Sequence, residues 1–158
     1  MMKKSQRQHD RRAYNIRCLV EMIRGTAASL DDSQAAFCKE IGVSREQWSA
    51  LAEIGGTSHT LSISQLARKL RLRRQSTYPL VLRLERDGLI RFLRNPDDRR
   101  LLQMELTAAG RSVLNTVEIR RNQWMLVMAY DLDDMALQGH LNRMRDLQIR
   151  IARTRKYV

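Results

Sequence analysis

Ser62–Gly88 reads SISQLARKLRLRRQSTYPLVLRLERDG, and the spacing within it decides the fold. Ser62-Ile63-Ser64-Gln65 has the Ser-x-x-Gln form of a capping box, in which two side chains satisfy backbone donors at a helix start. Ile63, Leu66, Ala67 and Leu70 then fall at i, i+3, i+4 and i+7, and Thr77, Leu80, Val81 and Leu84 repeat that template. Two short amphipathic helices joined by a tight turn must cross steeply to share one core. The stretch therefore predicts a helix-turn-helix that ends at Gly88, a residue suited to the left-handed conformation just past a helix.

The rhythm changes on both sides. Downstream, Leu89 to Arg94 and Arg100 to Leu106 read as short strands, with Leu102, Met104 and Leu106 alternating against Leu101, Gln103 and Glu105. Asn95-Pro96-Asp97-Asp98 between them suits a turn, because proline fixes φ at its second position. Thr107 is placed to cap a long helix carrying Val113, Leu114, Val117, Trp124 and Val127, and Asp133 a last one with Leu137, Leu141, Met144 and Ile151. Upstream, Ser44-Arg45-Glu46-Gln47 is a second capping box, opening a helix with Trp48, Leu51 and Ala52 inward and a stop at Gly55-Gly56. The first forty residues read as helix, with Ile16, Leu19, Val20, Ile23, Ala27 and Leu30 on one face and Gly25 and Asp31-Asp32-Ser33 as points of bending or interruption. The fold class is mainly α with a small β-hairpin.

Composition agrees. Of 158 residues, 43% are hydrophobic but only 5% aromatic, and there are two prolines, a mix that suits long helices better than a sandwich or barrel. The length fits a single domain, 1–158. A formal net charge of +12 points to a phosphate polyanion or an anionic membrane as partner, with nucleic acid favoured. No run of eighteen apolar residues and no apolar segment after the basic N-terminus is found, so a soluble, cytoplasmic protein without a membrane partner is expected. Cys18 and Cys38 are far apart in sequence, and His9, His59 and His140 lack neighbours at ligand spacing, which predicts no disulfide, no metal and no cofactor. No glycine-rich phosphate loop, Ser-His-Asp arrangement or catalytic carboxylate pair is present, and the chain does not read as an enzyme.

Charge and helix-turn-helix coincide. Ser62 to Leu106 holds eleven lysines and arginines against five carboxylates, so half of the chain's +12 lies in under a third of its length. At 100° per residue the second helix turns Gln75, Pro79, Leu82 and Arg86 outward, flanked by Arg74, Ser76, Tyr78 and Arg83. Arginine can donate bidentately to guanine, glutamine can pair with adenine, and a tyrosine ring can meet a thymine methyl or a phosphate. Arg73 stands where Ser or Asp would cap this helix, leaving amides that suit a phosphate. Pro79 removes a backbone bond to the Gln75 carbonyl and is expected either to bend the helix or to be tolerated near its start. The terminal helices carry apolar faces that a small lobe alone would leave wet, which predicts a homodimer.

Leu66-Ala67, Leu84-Glu85-Arg86-Asp87-Gly88-Leu89, Asp98-Arg99-Arg100 and Leu106-Thr107-Ala108-Ala109-Gly110 together resemble the pattern of the MarR family of transcription regulators. The resemblance is strong over Ser44 to Gly110 and looser in the terminal helices. It implies a winged helix-turn-helix lobe over 44–106, dimerisation helices over 5–40 and 107–153, and a homodimer, here expected to be a repressor, that reads a pseudo-palindrome in double-stranded DNA. It also implies a wing in which Asp98 orients an arginine toward the minor groove. Arg73, Arg74, Gln75, Ser76, Tyr78, Arg83, Arg94, Asp98, Arg99 and Arg100 are the expected DNA-binding residues. Arg73 and Tyr78-Pro79 depart from the family's usual residues and bear on which operator is read. By the same resemblance, a small aromatic or phenolic effector would sit near Trp48, Met22 and Arg17, and Cys18 would be the site of redox sensing. A redox-sensing regulator and a sequence-tolerant nucleoid-type protein are the alternatives.

Overall fold

The computed structural model describes residues 2–94 and 102–154. They form two compact units, residues 1–120 and 121–158. The elements run α1 (Met2–Glu40), α2 (Arg45–Gly55), β1 (Leu61–Ser62), α3 (Ile63–Leu70), α4 (Arg74–Arg86), β2 (Ile90–Arg94), β3 (Leu102–Leu106), α5 (Ala108–Ala129) and α6 (Asp134–Thr154).

Both capping boxes form. The Ser44 hydroxyl accepts from the Gln47 amide while Gln47 Oε1 accepts from the Ser44 amide, and Ser62 and Gln65 repeat the exchange at the start of α3. α1 is continuous through Gly25 and Asp31-Asp32-Ser33, where an interruption was expected. Ser29 and Ser33 turn their hydroxyls onto the carbonyls of Gly25 and Ser29, four residues back, so neither side chain competes with the helix.

The first unit packs its core around the helix-turn-helix. Leu51 of α2, Leu66 of α3, Val81 and Leu84 of α4, and Val117 of α5 are fully buried, as are Leu61, Ile90 and Met104 of the sheet. The expected inward faces are the buried ones, with Leu70, Leu80 and Ala52 half-covered. The sheet has three antiparallel strands in the order β1-β3-β2, with Leu61 opposite Met104 and Ile90 opposite Leu106. Strand β1 is an addition to the expected hairpin. The whole is a winged helix-turn-helix, mainly helical.

In the second unit no residue of α6 is buried, and Leu126 and Val127 of α5 are 71% and 76% exposed. Asp133 caps α6, its carboxylate accepting from the Ala136 amide. Val127, expected among the apolar positions of the long helix, faces solvent in the single chain.

Two backbone positions control the lobe. Arg71 closes α3 in the left-handed conformation (φ 56, ψ 34), where every L side chain is strained. At Gly110 a Cβ would sit 1.9 Å from the Leu89 carbonyl oxygen, so the start of α5 lies against β2's entry with room for hydrogen only. Thr107 supports this junction by donating to the Gly88 carbonyl and accepting from the Gly110 amide. We expect Arg71→Gly to stabilise the fold by about 1 kcal/mol in denaturant titration. Gly110→Ala should cost at least about 2 kcal/mol, since backbone must move to admit the methyl.

Candidate nucleic-acid interface

The second helix of the pair is held at both ends. At its start, buried Thr77 donates its hydroxyl to the Arg73 carbonyl, 3.1 Å away. At its end, the buried amide of Gln47 donates to the Asp87 carboxylate at 3.0 Å, joining α2 to the residue that closes α4. α4 runs unbroken through Pro79. Arg73 is its N-cap and gives no side-chain cap bond, so the first turn presents amides outward.

Ion pairing divides the basic residues into two groups. Lys69 meets Glu53 at 3.0 Å, Arg86 meets its neighbour Asp87 at 3.5 Å, and Arg91 contacts Glu105, its partner across the β2–β3 ladder. Arg68, Arg71, Arg73, Arg74, Arg83 and Arg94 are exposed and have no carboxylate partner among the described residues. Their charge is uncompensated. Five of these six lie in α3, α4 and the turn between them, and Arg94 lies at the end of β2.

The other expected DNA-binding residues are placed as follows. Gln75, Ser76 and Tyr78 are exposed on α4 beside Arg74, with Tyr78 51% accessible. Asp98, Arg99 and Arg100 lie outside the described residues, as does the turn Asn95-Pro96-Asp97-Asp98. Arg71 and Leu72, which form the turn itself, were not singled out from sequence. Their exposure was readable only as interruption of the apolar template. Gln47 was read as a cap, but its bond to a carboxylate forty residues on has no local signal.

The expected effector residues differ in exposure. Trp48 is buried and its ring N–H donates to Glu118 at 3.3 Å, whereas Met22 and Arg17 are exposed on α1. A cleft of about 490 Å³ is lined by residues including Ile54, His59, Leu106, Arg111 and Glu118. Cys18 is half-buried. Cys38 is fully buried, and that burial pushes its thiol above the ordinary range against a smaller opposing effect of Arg45.

Residues 41–101 match the model of the MarR family. Among solved structures, a MarR family transcription regulator superposes with a TM-score of 0.85 at 18% identity, covering 91% of this chain and 95% of that one. A MarR family protein from Bacillus stearothermophilus gives 0.75 at 20% identity, covering 87% and 96%. An S. aureus MepR variant bound to an oligodeoxyribonucleotide gives 0.60 at 14% identity, covering 82% and 95%. These likenesses show the fold. No curated protein matches the chain by sequence.

Cys38 should resist alkylation at pH 8 in the native protein and react on unfolding in guanidinium, because the thiolate is the nucleophile and burial disfavours it. Peptide mass spectrometry after each treatment reads this directly; labelling of native Cys38 would contradict the packing.

Proposed function

We propose, from the premise that the chain carries a MarR family winged helix, that it is a sequence-specific regulator of transcription. It binds a pseudo-palindromic operator in double-stranded DNA as a homodimer and acts as a repressor. The observation that carries this reading is the concentration of unpaired arginine on one helix-turn-helix. Arg71, Arg73, Arg74 and Arg83 are exposed and lack carboxylate partners among the described residues, and the uncapped start of α4 adds outward amides. Both features favour phosphate, and α4 is of a size to enter a major groove.

The dimer is supported by apolar surface that one chain leaves uncovered. On α1, Ile16 and Leu19 are exposed one turn apart, and on α6 so are Leu141 and Met144. Contiguous apolar faces of this kind mark association surfaces, and a two-fold axis would bury each against its own copy. Such an axis also sets two reading helices about 34 Å apart, one duplex turn.

A sequence-tolerant DNA-binding protein would use the same charges, so the ratio of specific to random-duplex affinity decides between them. A regulator should exceed about 10³ at physiological salt. Sedimentation should give a dimer at micromolar concentration. A monomer would end the palindrome model. In gel-shift titrations, Arg74→Ala and Arg83→Ala should each weaken operator binding about tenfold. Loss of a phosphate contact should also make the salt dependence shallower by about 0.9 in log–log slope. Lys69→Ala should change affinity less than about twofold, because Glu53 already neutralises that ammonium.

A further inference from the structure

The solvent face of α4 is basic at its edges, and between Gln75 and Arg86 its middle is apolar. Thr77, Val81 and Leu84 are buried, which fixes the helix's rotation. The opposite meridian carries Gln75, Pro79, Leu82 and Arg86, with Tyr78 beside Leu82 one turn on from Arg74. Leu82 is 41% exposed and Tyr78 51%. Large apolar side chains so placed, on the helix that would lie in the groove, are complementary to a partner with apolar surface of its own.

On this reading of the chain as a DNA-binding regulator, we infer that Leu82 and Tyr78 recognise thymine 5-methyl groups. The operator half-site then has thymines fixed at the centre of the reading helix. Among the base edges of the major groove, the thymine methyl is the one apolar feature; all the others are hydrogen-bonding groups. A leucine at the centre of the face cannot use donors or acceptors, and would desolvate them at a cost. Meeting a methyl buries apolar surface on both sides. The alternative occupant is the same face of a second copy. That arrangement sets the unpaired Arg74 and Arg83 of one chain near those of another, with no anion between them, whereas duplex DNA supplies phosphates to both flanks. The charges select DNA, and the apolar centre selects within it.

The test uses a duplex recovered from a random-sequence library by the wild-type protein, then remade with uracil for thymine at one position at a time. Uracil keeps every hydrogen-bonding edge and removes only the methyl. Wild type should lose about fourfold affinity at each contacted thymine, from the area of one methyl group, and nothing elsewhere in the site. Leu82→Asn, at a surface position, should bind the thymine and uracil forms of the adjacent step alike, while Arg83→Ala weakens both equally. Equal binding of the two forms by wild type overturns the inference and leaves DNA recognition standing. Discrimination retained in both Leu82→Asn and Tyr78→Ser overturns it as well. So does a recovered set without fixed thymines. A change of oligomeric state in Leu82→Asn with discrimination intact assigns the face to a second copy instead. Recovery of no duplex at all defeats the DNA-binding reading, and this inference with it.

Discussion

The side-chain amide of Gln47 ties α2 to the end of α4. It is buried, and a buried amide left without partners costs about 1–3 kcal/mol, so its bonds are obligatory once the lobe closes. Its oxygen accepts from the Ser44 amide and closes the first turn of α2. Its nitrogen donates to Asp87, the residue that ends α4. One side chain therefore positions the start of one helix and the end of another. α4 is thereby tied at its end to a neighbouring helix as well as through its own connections.

That tie is set against electrostatic repulsion. Arg71, Arg73, Arg74 and Arg83 crowd the turn and the helix after it without carboxylates among the described residues, and neighbours closer than about 8 Å are incompletely screened at physiological salt. The ion pairs that do form lie at the margins: Lys69 with Glu53, Arg91 with Glu105. Exposed pairs contribute about 0–1 kcal/mol, so they orient side chains more than they stabilise the fold. Stability comes from the apolar core beneath, where Leu51, Leu66, Leu84 and Ile90 are fully covered. A folded state carried by its core can keep an unpaired basic surface that a polyanion relieves.

How much of this was legible depended on how local each signal is. The capping boxes at Ser44 and Ser62 and the apolar template of α3 and α4 are local signals, and the structure matches them, with only Leu70 and Leu80 less than fully covered. The outward set Gln75, Pro79, Leu82 and Arg86 followed from the same rotation. Strand β1 was not legible, because two residues carry no period and the pairing partner of Leu61 is Met104. The helix over the first forty residues was legible, but not whether it runs straight on, bends or breaks at Gly25 and Asp31-Asp32-Ser33. Serine and aspartate read as interruptions, yet the hydroxyls of Ser29 and Ser33 settle on carbonyls of the preceding turn. The left-handed Arg71 gives no signal at all in sequence, since glycine or asparagine is the residue expected there. Of the candidate site, the α4 side chains could be named in advance, while the tether from Gln47 to Asp87 spans forty residues and is a product of packing.

The departures from local preference are not scattered. Between residues 71 and 79 an arginine occupies a left-handed position, another arginine stands at an N-cap without a capping bond, and a proline sits inside a helix. Each is a local cost. Elsewhere in the lobe the same choices follow the rules: Ser44 and Ser62 cap with full reciprocity, and Gly88 takes the positive φ past α4. The chain caps α2 and α3 with full reciprocity and departs from local preference within this nine-residue span. Arg71 and Arg73 add charge where a glycine and a serine would add stability. Pro79 removes an amide and leaves the Gln75 carbonyl without its helical donor on the outward face. Local departures gathered in one exposed span are where a hypothesis of function is best directed, and this span carries residues proposed above to meet DNA.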